Sequence, residues 1–317
     1  MSLETFDDLR TKEIPPRDYL IEGLIARGDF VIFSGPQKKG KSILSINLAM
    51  CLARGENWFE FMVQKAFRVG IVQQEIPEVS LKERVMKMVP QFSDLEFLGR
   101  IPHLTRSLLK LDDPVGKRKL REWLDKAKVD LVIIDPLYAF HVGRENDSGD
   151  MGKVCQELQK IAEIYECGVL LIHHHGKPGI VERVGGDQHR GASVLRDATD
   201  GNWTFNRFPP KKYVLEQNPS QYVELAFELR HAMSPEPMLL YLNPETLWFE
   251  RALSAAEFND DLVIETLINA KELSTSLLVE ALKKLSGKTE RTCYRWVQHA
   301  LQGKKVSRDS NNVWRPL

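Results

Sequence analysis

A dense group of glycine, lysine and serine residues follows the first apolar run of the chain. The stretch GPQKKGKS, residues 35–42, comes directly after Phe30-Val31-Ile32-Phe33. Its spacing matches the P-loop pattern, in which a strand precedes the loop and a helix follows it. Glycines let successive N–H groups point at phosphate oxygens, and the N-terminus of the next helix adds partial positive charge. We therefore predict a phosphate-binding loop formed by Gly35, Pro36, Gln37, Lys38, Lys39, Gly40, Lys41, Ser42 and Ile43.

Two residues of this loop and one distant aspartate have predicted roles at the phosphates. Lys41 is expected to reach the β- and γ-phosphates and the Ser42 hydroxyl to bind Mg²⁺, whereas Lys38 and Lys39 are interpreted as solvated charges. Asp135 ends the apolar run LVIID, residues 131–135. A carboxylate at the C-terminal edge of a strand can hold the Mg²⁺ water shell, and the alternative is an aspartate that opens a turn before a proline. The P-loop favours the metal role.

The sequence offers one candidate for a catalytic base. No second acid follows Asp135, so the carboxylate that orients an attacking water must come from elsewhere in the chain. Glu75 lies just past the apolar run VGIVQQ, residues 69–74, and is that candidate. We interpret the neighbouring Glu78 as a surface residue at a helix start.

Three adjacent histidines end a later apolar run, LLIHHHGK, residues 170–177. Consecutive strand residues point to opposite faces, so three in a row cannot all face one ion, which disfavours zinc. We expect one imidazole to contact the γ-phosphate and to report hydrolysis to the next loop, residues 176–191. That loop is rich in glycine and contains Arg183 and Arg190, so it is a candidate for contacting nucleic acid; the alternative is an ordinary surface loop.

Apolar runs of strand length alternate with helical patterns from about residue 20 to residue 250, which predicts an α/β fold with a mostly parallel sheet. Helices are predicted over 42–53 and 149–165. The predicted strands are 30–34, 68–73, 131–135, 169–173, 202–206, 222–229 and 238–242. Ligands of such sheets bind beyond the C-terminal ends of the strands.

The amino-acid composition argues against a chain that is basic overall, a disulfide-bonded secreted protein and a membrane protein. Lysine plus arginine and aspartate plus glutamate are each 44 of 317 residues, so any basic surface must be local. The four cysteines form no CxxC pair, which indicates buried thiols in a reducing cytosol. The acidic, polar N-terminus predicts no signal peptide, and no apolar run is long enough to cross a bilayer, so we expect a cytoplasmic protein without membrane contact.

The pattern changes near Ser254, so residues 1–253 and 254–317 are expected to be separate domains. Helices over 261–270, 274–285 and 289–301 and a hairpin over 304–316 fit a winged helix-turn-helix, and a plain three-helix capping domain is the alternative. Residues 271–317 contain ten basic and four acidic residues, an excess of six positive charges. The candidate DNA contacts are Lys288, Arg291, Arg295 and His299 on the third helix and Lys304, Lys305 and Arg308 on the hairpin.

The order of these motifs over about residues 15–250 resembles the RecA-like ATPases of the type of RepA, the hexameric replicative helicase of broad-host-range plasmids. The matching segments are PPRDYLIE (15–22), the P-loop, Glu75 with Arg84, Asp135-Pro136-Leu137, His173-His174 with Lys177, and Arg190-Gly191-Ala192-Ser193 with Asp197 and Asp200. The resemblance implies a RecA-like core, a homo-oligomeric ring hexamer that hydrolyses ATP with Mg²⁺, and active sites completed by a neighbouring subunit. By it, Glu75 corresponds to the catalytic glutamate and His174 to the γ-phosphate sensor.

One motif departs from this pattern. Ring helicases of this class commonly have a Lys-x-Arg pair whose arginine reaches the neighbour's γ-phosphate. Here Glu228-Leu229-Arg230 has the arginine without the lysine. Arg207 is a second candidate for this arginine finger, and Arg230 is alternatively a surface charge at a strand end.

The leading hypothesis is an oligomeric Mg-ATP-dependent DNA motor, helicase-like, of plasmid, phage or mobile-element replication. Single-stranded DNA is expected in the ring channel and duplex DNA at the C-terminal domain. The alternatives are a DNA-binding regulator or loader whose assembly is switched by ATP, and a repair or defence ATPase without unwinding activity.

Overall fold

The computed structural model describes residues 4–143, 148–174, 195, 198–206, 218–252, 255–270, 272–286, 288–309 and 313–316. These residues divide into two compact units. The first, here called the sheet unit, comprises the described residues of Met1–Asn206, Leu225–Pro237 and Leu242–Phe249. The second, the C-terminal unit, comprises those of Arg207–Glu224, Met238–Tyr241 and Glu250–Leu317.

Strands and helices alternate along the chain up to residue 174. The helices are α1 (Phe6–Thr11), α2 (Lys41–Arg54), α3 (Glu78–Met88), α4 (Pro114–Ala127) and α5 (Ser148–Tyr165). The strands are β1 (Tyr19–Ile21), β2 (Ile25–Ala26), β3 (Phe30–Gly35), β4 (Val69–Gln73), β5 (His103–Thr105), β6 (Leu131–Asp135) and β7 (Gly168–His174). Four strands follow: β8 (Gly201–Asn206), β9 (Tyr222–Leu229), β10 (Met238–Leu242) and β11 (Phe249–Ala252).

The central sheet of the sheet unit has the strand order β5-β4-β6-β7-β3-β8, with β9 next to β8. The five pairings from β5 to β8 are parallel. Parallel neighbours require crossover connections, and helices α2 to α5 lie in the connections between β3 and β7. Strands β3, β4 and β6 are buried along their whole length, which is why their sequences are unbroken apolar runs. The predicted α/β class with a mostly parallel sheet is confirmed.

One large part of the core lies where α4 and α5 cover the sheet. Strand residues such as Ile32, Val132 and Leu171 pack there with Leu124 of α4 and Leu158 of α5. Helix α4 begins at Asp113-Pro114, where the Asp113 carboxylate accepts a hydrogen bond from the Gly116 N–H at 2.9 Å. Local capping and core packing thus fix the same helix boundary.

Helix α2 follows β3 without an intervening strand or helix. It ends at Arg54 because Gly55 adopts a left-handed conformation and donates back to the Cys51 and Leu52 carbonyls. Its N-terminus, at Lys41, points to the edge of the sheet where the parallel strands end. Within the described residues, no helix is long and apolar enough to cross a bilayer.

The C-terminal unit contains three helices and a small antiparallel sheet. The helices are α6 (Ala255–Ala270), α7 (Thr275–Ser286) and α8 (Glu290–Gln302). The strands are β12 (Leu273–Ser274), β13 (Val306–Arg308) and β14 (Val313–Pro316), with β14 in the middle. Val263, Leu278, Val297 and Trp314 belong to a core of its own. Helix α6 begins six residues before the predicted position, and the two-residue β12 has no counterpart in the sequence prediction.

Candidate active site

The turn between β3 and α2 leaves no room for side chains at its two glycines. A Cβ on Gly35 would lie 2.7 Å from the Cβ of Phe205, and one on Gly40 would lie 2.8 Å from Cζ of Phe249. Gly40 also has a φ of 89°, in the left-handed region, immediately before the helix. A larger residue at either position would therefore displace Phe205 or Phe249. The N–H groups of the first turn of a helix have no intrahelical partners and can bind an anion.

Lys41 is the first residue of α2 and is only 3% exposed. Its ammonium group donates to the carbonyl oxygens of Gly35 and Pro36, each at 2.8 Å. Burial lowers the pKa of Lys41 to about 8, and the negative charges of Asp135 and Glu75 oppose that shift. A buried ammonium of this kind gains from any anion that enters the turn.

Asp135 is the last residue of β6 and is paired in register with Gln73 of β4. Burial raises the pKa of Asp135 to about 6, while a hydrogen bond with the Ser42 side chain lowers it. Among the described residues, its buried Oδ1 has no hydrogen-bond partner. A buried carboxylate oxygen without a partner, beside a serine hydroxyl, is the oxygen donor set that suits Mg²⁺. Ser42 and Asp135 therefore fit the predicted metal.

Glu75 lies two residues beyond the end of β4 and is partly exposed. Its Oε2 lies 3.8 Å from Nε2 of His174, and its carboxylate is hydrogen-bonded to Tyr138. The Tyr138 and His174 rings are 5.8 Å apart between centroids. Burial raises the pKa of Tyr138, and the nearby charges of Glu75 and Asp135 raise it further. The Tyr138 hydroxyl is therefore protonated at neutral pH and is able to donate to a nearby carboxylate.

The strand pleat separates the histidines. His174 is paired in register with Gly35 and lies at the cavity, whereas His173, paired with Ser34, is 1% exposed in the interior. His175 lies outside the described residues. Within the part of the chain that the structure describes, no group of three or more histidine, cysteine, aspartate or glutamate residues could hold a metal ion.

These side chains converge on one cavity of about 580 Å³, a volume in the range of small-molecule sites. Its polar and charged lining includes Gln37, Lys38, Lys41, Ser42, Gln73, Glu75, Arg84, Asp135, Tyr138 and His174. The sequence reasoning gave no site role to Gln73, Arg84 or Tyr138. Tyr138 had a usable signal, because a polar aromatic residue three positions after Asp135 must lie near the same sheet edge.

The predicted arginine fingers lie apart from this cavity or outside the described residues. Arg230 donates its backbone N–H to the Asp200 carbonyl at 2.9 Å, and its guanidinium lies 3.9 Å from the Asp200 carboxylate. The other carboxylate oxygen of Asp200 accepts from the N–H of Phe30, the first residue of β3. Arg230 is therefore at the opposite end of β3 from Gly35. Arg183, Arg190 and Arg207 lie outside the described residues.

The basic residues of the C-terminal unit fall into two groups. Arg291 and Arg295 are exposed on α8, and Lys288 and Lys304 are exposed near its ends. His299 and Lys305 instead face Asp260, which is 2% exposed, at 2.9 Å and 3.4 Å. This buried carboxylate therefore neutralises part of the positive face that the sequence predicts.

Comparison with known proteins shows the family of this chain. Residues 1–179 match the AAA_25 family, described as an AAA domain. The chain belongs to this family. Its fold is also similar to several solved structures of RecA-like P-loop ATPases.

Three of these structures are an ATPase domain, a replicative helicase and a recombinase. The ATPase domain of the protein G40P has 15% identity and a TM-score of 0.53, over 70% of this chain and 84% of that one. A DnaB-like replicative helicase, solved to show its interactions with primase, has the same identity and TM-score over 70% of this chain and 57% of its own. The RadB recombinase has 16% identity and a TM-score of 0.50 over 70% and 90%. At these identities the similarity establishes the RecA-like fold.

Proposed function

We propose that this AAA_25 protein is a Mg-ATP-dependent ATPase that acts as an oligomeric, helicase-like DNA motor in plasmid, phage or mobile-element replication. The observation that supports it most is the convergence of Lys41, Ser42, Asp135, Glu75 and His174 on one cavity at the C-terminal edge of a parallel sheet. These residue types together supply phosphate charge neutralisation, metal ligands and a base.

Each side chain then has a distinct role in hydrolysis. The N–H groups of the loop and the Lys41 ammonium hold the phosphates, and Glu75 orients the attacking water and accepts its proton. Ser42 and Asp135 would hold Mg²⁺, which would supply further neutralisation of phosphate charge. His174, 3.8 Å from Glu75, is placed to sense the γ-phosphate and the base together.

A homo-oligomeric ring, most simply a hexamer, completes the proposal. The family resemblance supports it, as does the fold similarity to a DnaB-like replicative helicase. Arg230, remote from the cavity of its own chain, is the first candidate for an arginine that reaches a neighbour's site, and Arg207 is the second. Single-stranded DNA would pass through the channel near Arg183 and Arg190.

We further propose that residues 254–317 are a winged-helix-like DNA-binding domain. Its support is the order of three helices and an antiparallel hairpin, with Arg291 and Arg295 exposed on α8 and Lys304 exposed just after it. In such domains the last helix enters a DNA groove and the hairpin contacts phosphates.

A second candidate function is a DNA-bound regulator or loader switched by ATP, or a repair or defence ATPase that does not unwind. It is favoured by the exposed arginines of α8 and by Glu228 in place of the lysine of a Lys-x-Arg pair. The deciding experiment is ATP-driven strand displacement on a forked duplex, with Lys41→Ala as the inactive control. The motor predicts displacement by the wild type alone; duplex binding with slow hydrolysis and no displacement would favour the second candidate.

A further inference from the structure

Two glutamines directly precede Glu75, and the proposed mechanism gives neither of them a role. Gln73 is the last residue of β4 and is 3% exposed. Its carboxamide donates to the Ile76 carbonyl at 2.7 Å and accepts from the Ile76 N–H at 2.9 Å. The pair of bonds closes a tight turn around Glu75, so that the backbone on the far side of Glu75 is fixed to the end of β4.

Gln74 is hydrogen-bonded to a neighbouring loop, residues 106–109. Its Oε1 accepts from the N–H of Leu108 at 2.9 Å, and its Nε2 donates to the Ser107 hydroxyl and the Leu109 carbonyl, each at 3.4 Å. Its backbone N–H donates to the Asp135 carbonyl at 3.0 Å. Gln74 thus connects the loop 106–109 to the strand ends that position Glu75 and Asp135.

The loop that Gln74 holds is strained. Arg106 and Leu108 have φ angles of 47° and 54°, in the left-handed region that non-glycine residues avoid. Burial does not account for this conformation at Leu108, because its side chain is 84% exposed. Strain of this kind persists where surrounding contacts impose it, and it concentrates at functional sites.

Arg106 connects the loop 106–109 to the backbone of Glu75. Its guanidinium donates to the Glu75 carbonyl at 3.3 Å, and its N–H donates to the Gln73 carbonyl at 2.9 Å. The backbone of Glu75 is therefore held on one side by the turn that Gln73 closes and on the other by Arg106. Within the described residues, the side chain of Glu75 lies near His174 and Tyr138, and no hydrogen bond to the loop 106–109 involves it.

We propose that Gln73 and Gln74 are positioning residues for Glu75, and that Gln74 acts by holding the loop 106–109 in the strained conformation from which Arg106 anchors the Glu75 backbone. The inference rests on the proposed role of Glu75 as the base. Neither glutamine contacts the reacting atoms. Both fix the position of the Glu75 backbone, from which the carboxylate projects, and catalysis is sensitive to displacements of about 1 Å.

The first test is steady-state ATP hydrolysis by Gln74→Met, which keeps the length of the side chain and removes its donor and acceptor. We expect kcat to fall on the order of 10- to 100-fold with KM for ATP within about twofold, because the phosphate loop is untouched. Gln74→Glu keeps the acceptor for Leu108 and should be intermediate. Gln91→Met, the same change at an exposed glutamine, is the matched control.

A double-mutant cycle separates positioning from general damage. In the Glu75→Gln background, Gln74→Met should cause no further loss, because the group it positions is already gone. Equal losses in both backgrounds, or unchanged kcat in Gln74→Met alone, would overturn the inference. If Glu75→Gln itself hydrolyses ATP at the wild-type rate, the failure belongs to the proposed function instead.

Limited trypsin digestion tests the loop without any reference to activity. Gln74→Met should be cleaved after Arg106 at least about tenfold faster than the wild type and Gln91→Met, because the loop leaves its strained conformation. The same rate in all three proteins would show that Gln74 does not hold the loop, whatever the ATPase assays give.

Discussion

At the scale of single residues, Lys41 couples the site to stability. Burial lowers its pKa from 10.5 to about 8, so between these values the unfolded chain binds more protons than the folded one. The free energy of unfolding should therefore rise with pH across that window. Urea denaturation at about pH 7.5 and about pH 10 should show this gain for the nucleotide-free wild type relative to Lys41→Met. An identical pH dependence in both proteins would contradict it.

Gly40 gives a second prediction at this scale. Gly40→Ala should lower the free energy of unfolding by about 1–2 kcal/mol or more and weaken ATP binding, because it combines a left-handed φ with a Cβ 2.8 Å from the Phe249 ring. Phe249→Leu in the same protein should recover part of the ATP affinity, since it relieves the contact and leaves the φ strain. Gly152→Ala, in the open on α5, is the control and should be neutral or stabilising.

The sequence indicated several residues of the cavity because each of them lies at or just after the end of a predicted strand. Lys41, Asp135 and His174 follow apolar runs, and the C-terminal ends of parallel strands meet at one edge. Arg84 reaches the cavity through the placement of α3, which no local pattern encodes, whereas Tyr138 follows β6 closely enough to be expected at the same sheet edge. The neutralising contact of Asp260 with His299 and Lys305 likewise depends on packing between helices distant in sequence.

At the scale of elements, the buried strands were predictable from their apolar runs, whereas the short strands and the helices α3 and α4 were not predicted. The boundaries of β6, β9 and β10 agree with the sequence prediction to the residue. Strands β5 and β12 were missed because three or two residues offer no periodicity, and their conformation comes from neighbouring strands. Asp113-Pro114 is a start signal for helix α4, but the prediction relied on the alternation of apolar runs and did not include this signal.

Helix α8 is the element whose role can be measured directly. Arg291→Ala and Arg295→Ala should each weaken duplex binding at low salt and reduce the slope of log K against log salt by about 1, because each removes one phosphate contact. Arg315→Ala is the matched control, since Glu272 and Asp309 already engage that guanidinium. Affinity and slope unchanged in the α8 variants would indicate that this unit docks protein rather than DNA.

At the scale of the whole molecule, the proposed ring predicts an active site shared between neighbouring subunits, with Arg230 as the first candidate for the trans-acting arginine. A trans-acting arginine is worth on the order of 10³-fold or more in rate, so turnover per subunit should rise with protein concentration until rings form. Arg230→Ala mixed with Lys41→Ala should recover some hydrolysis, because intact site halves meet at some head-to-tail interfaces. Arg207→Ala takes the same test. Normal hydrolysis by both arginine variants, with turnover per subunit independent of protein concentration, would contradict a shared site.

ATP binding measured together with single-turnover hydrolysis in Glu75→Gln tests whether the cavity hydrolyses ATP with Glu75 as the base. The amide keeps the shape of the side chain but cannot accept the proton of water. We expect ATP affinity within about threefold of the wild type and a hydrolysis rate lower by on the order of 10²-fold or more. Hydrolysis at the wild-type rate in Glu75→Gln would contradict it.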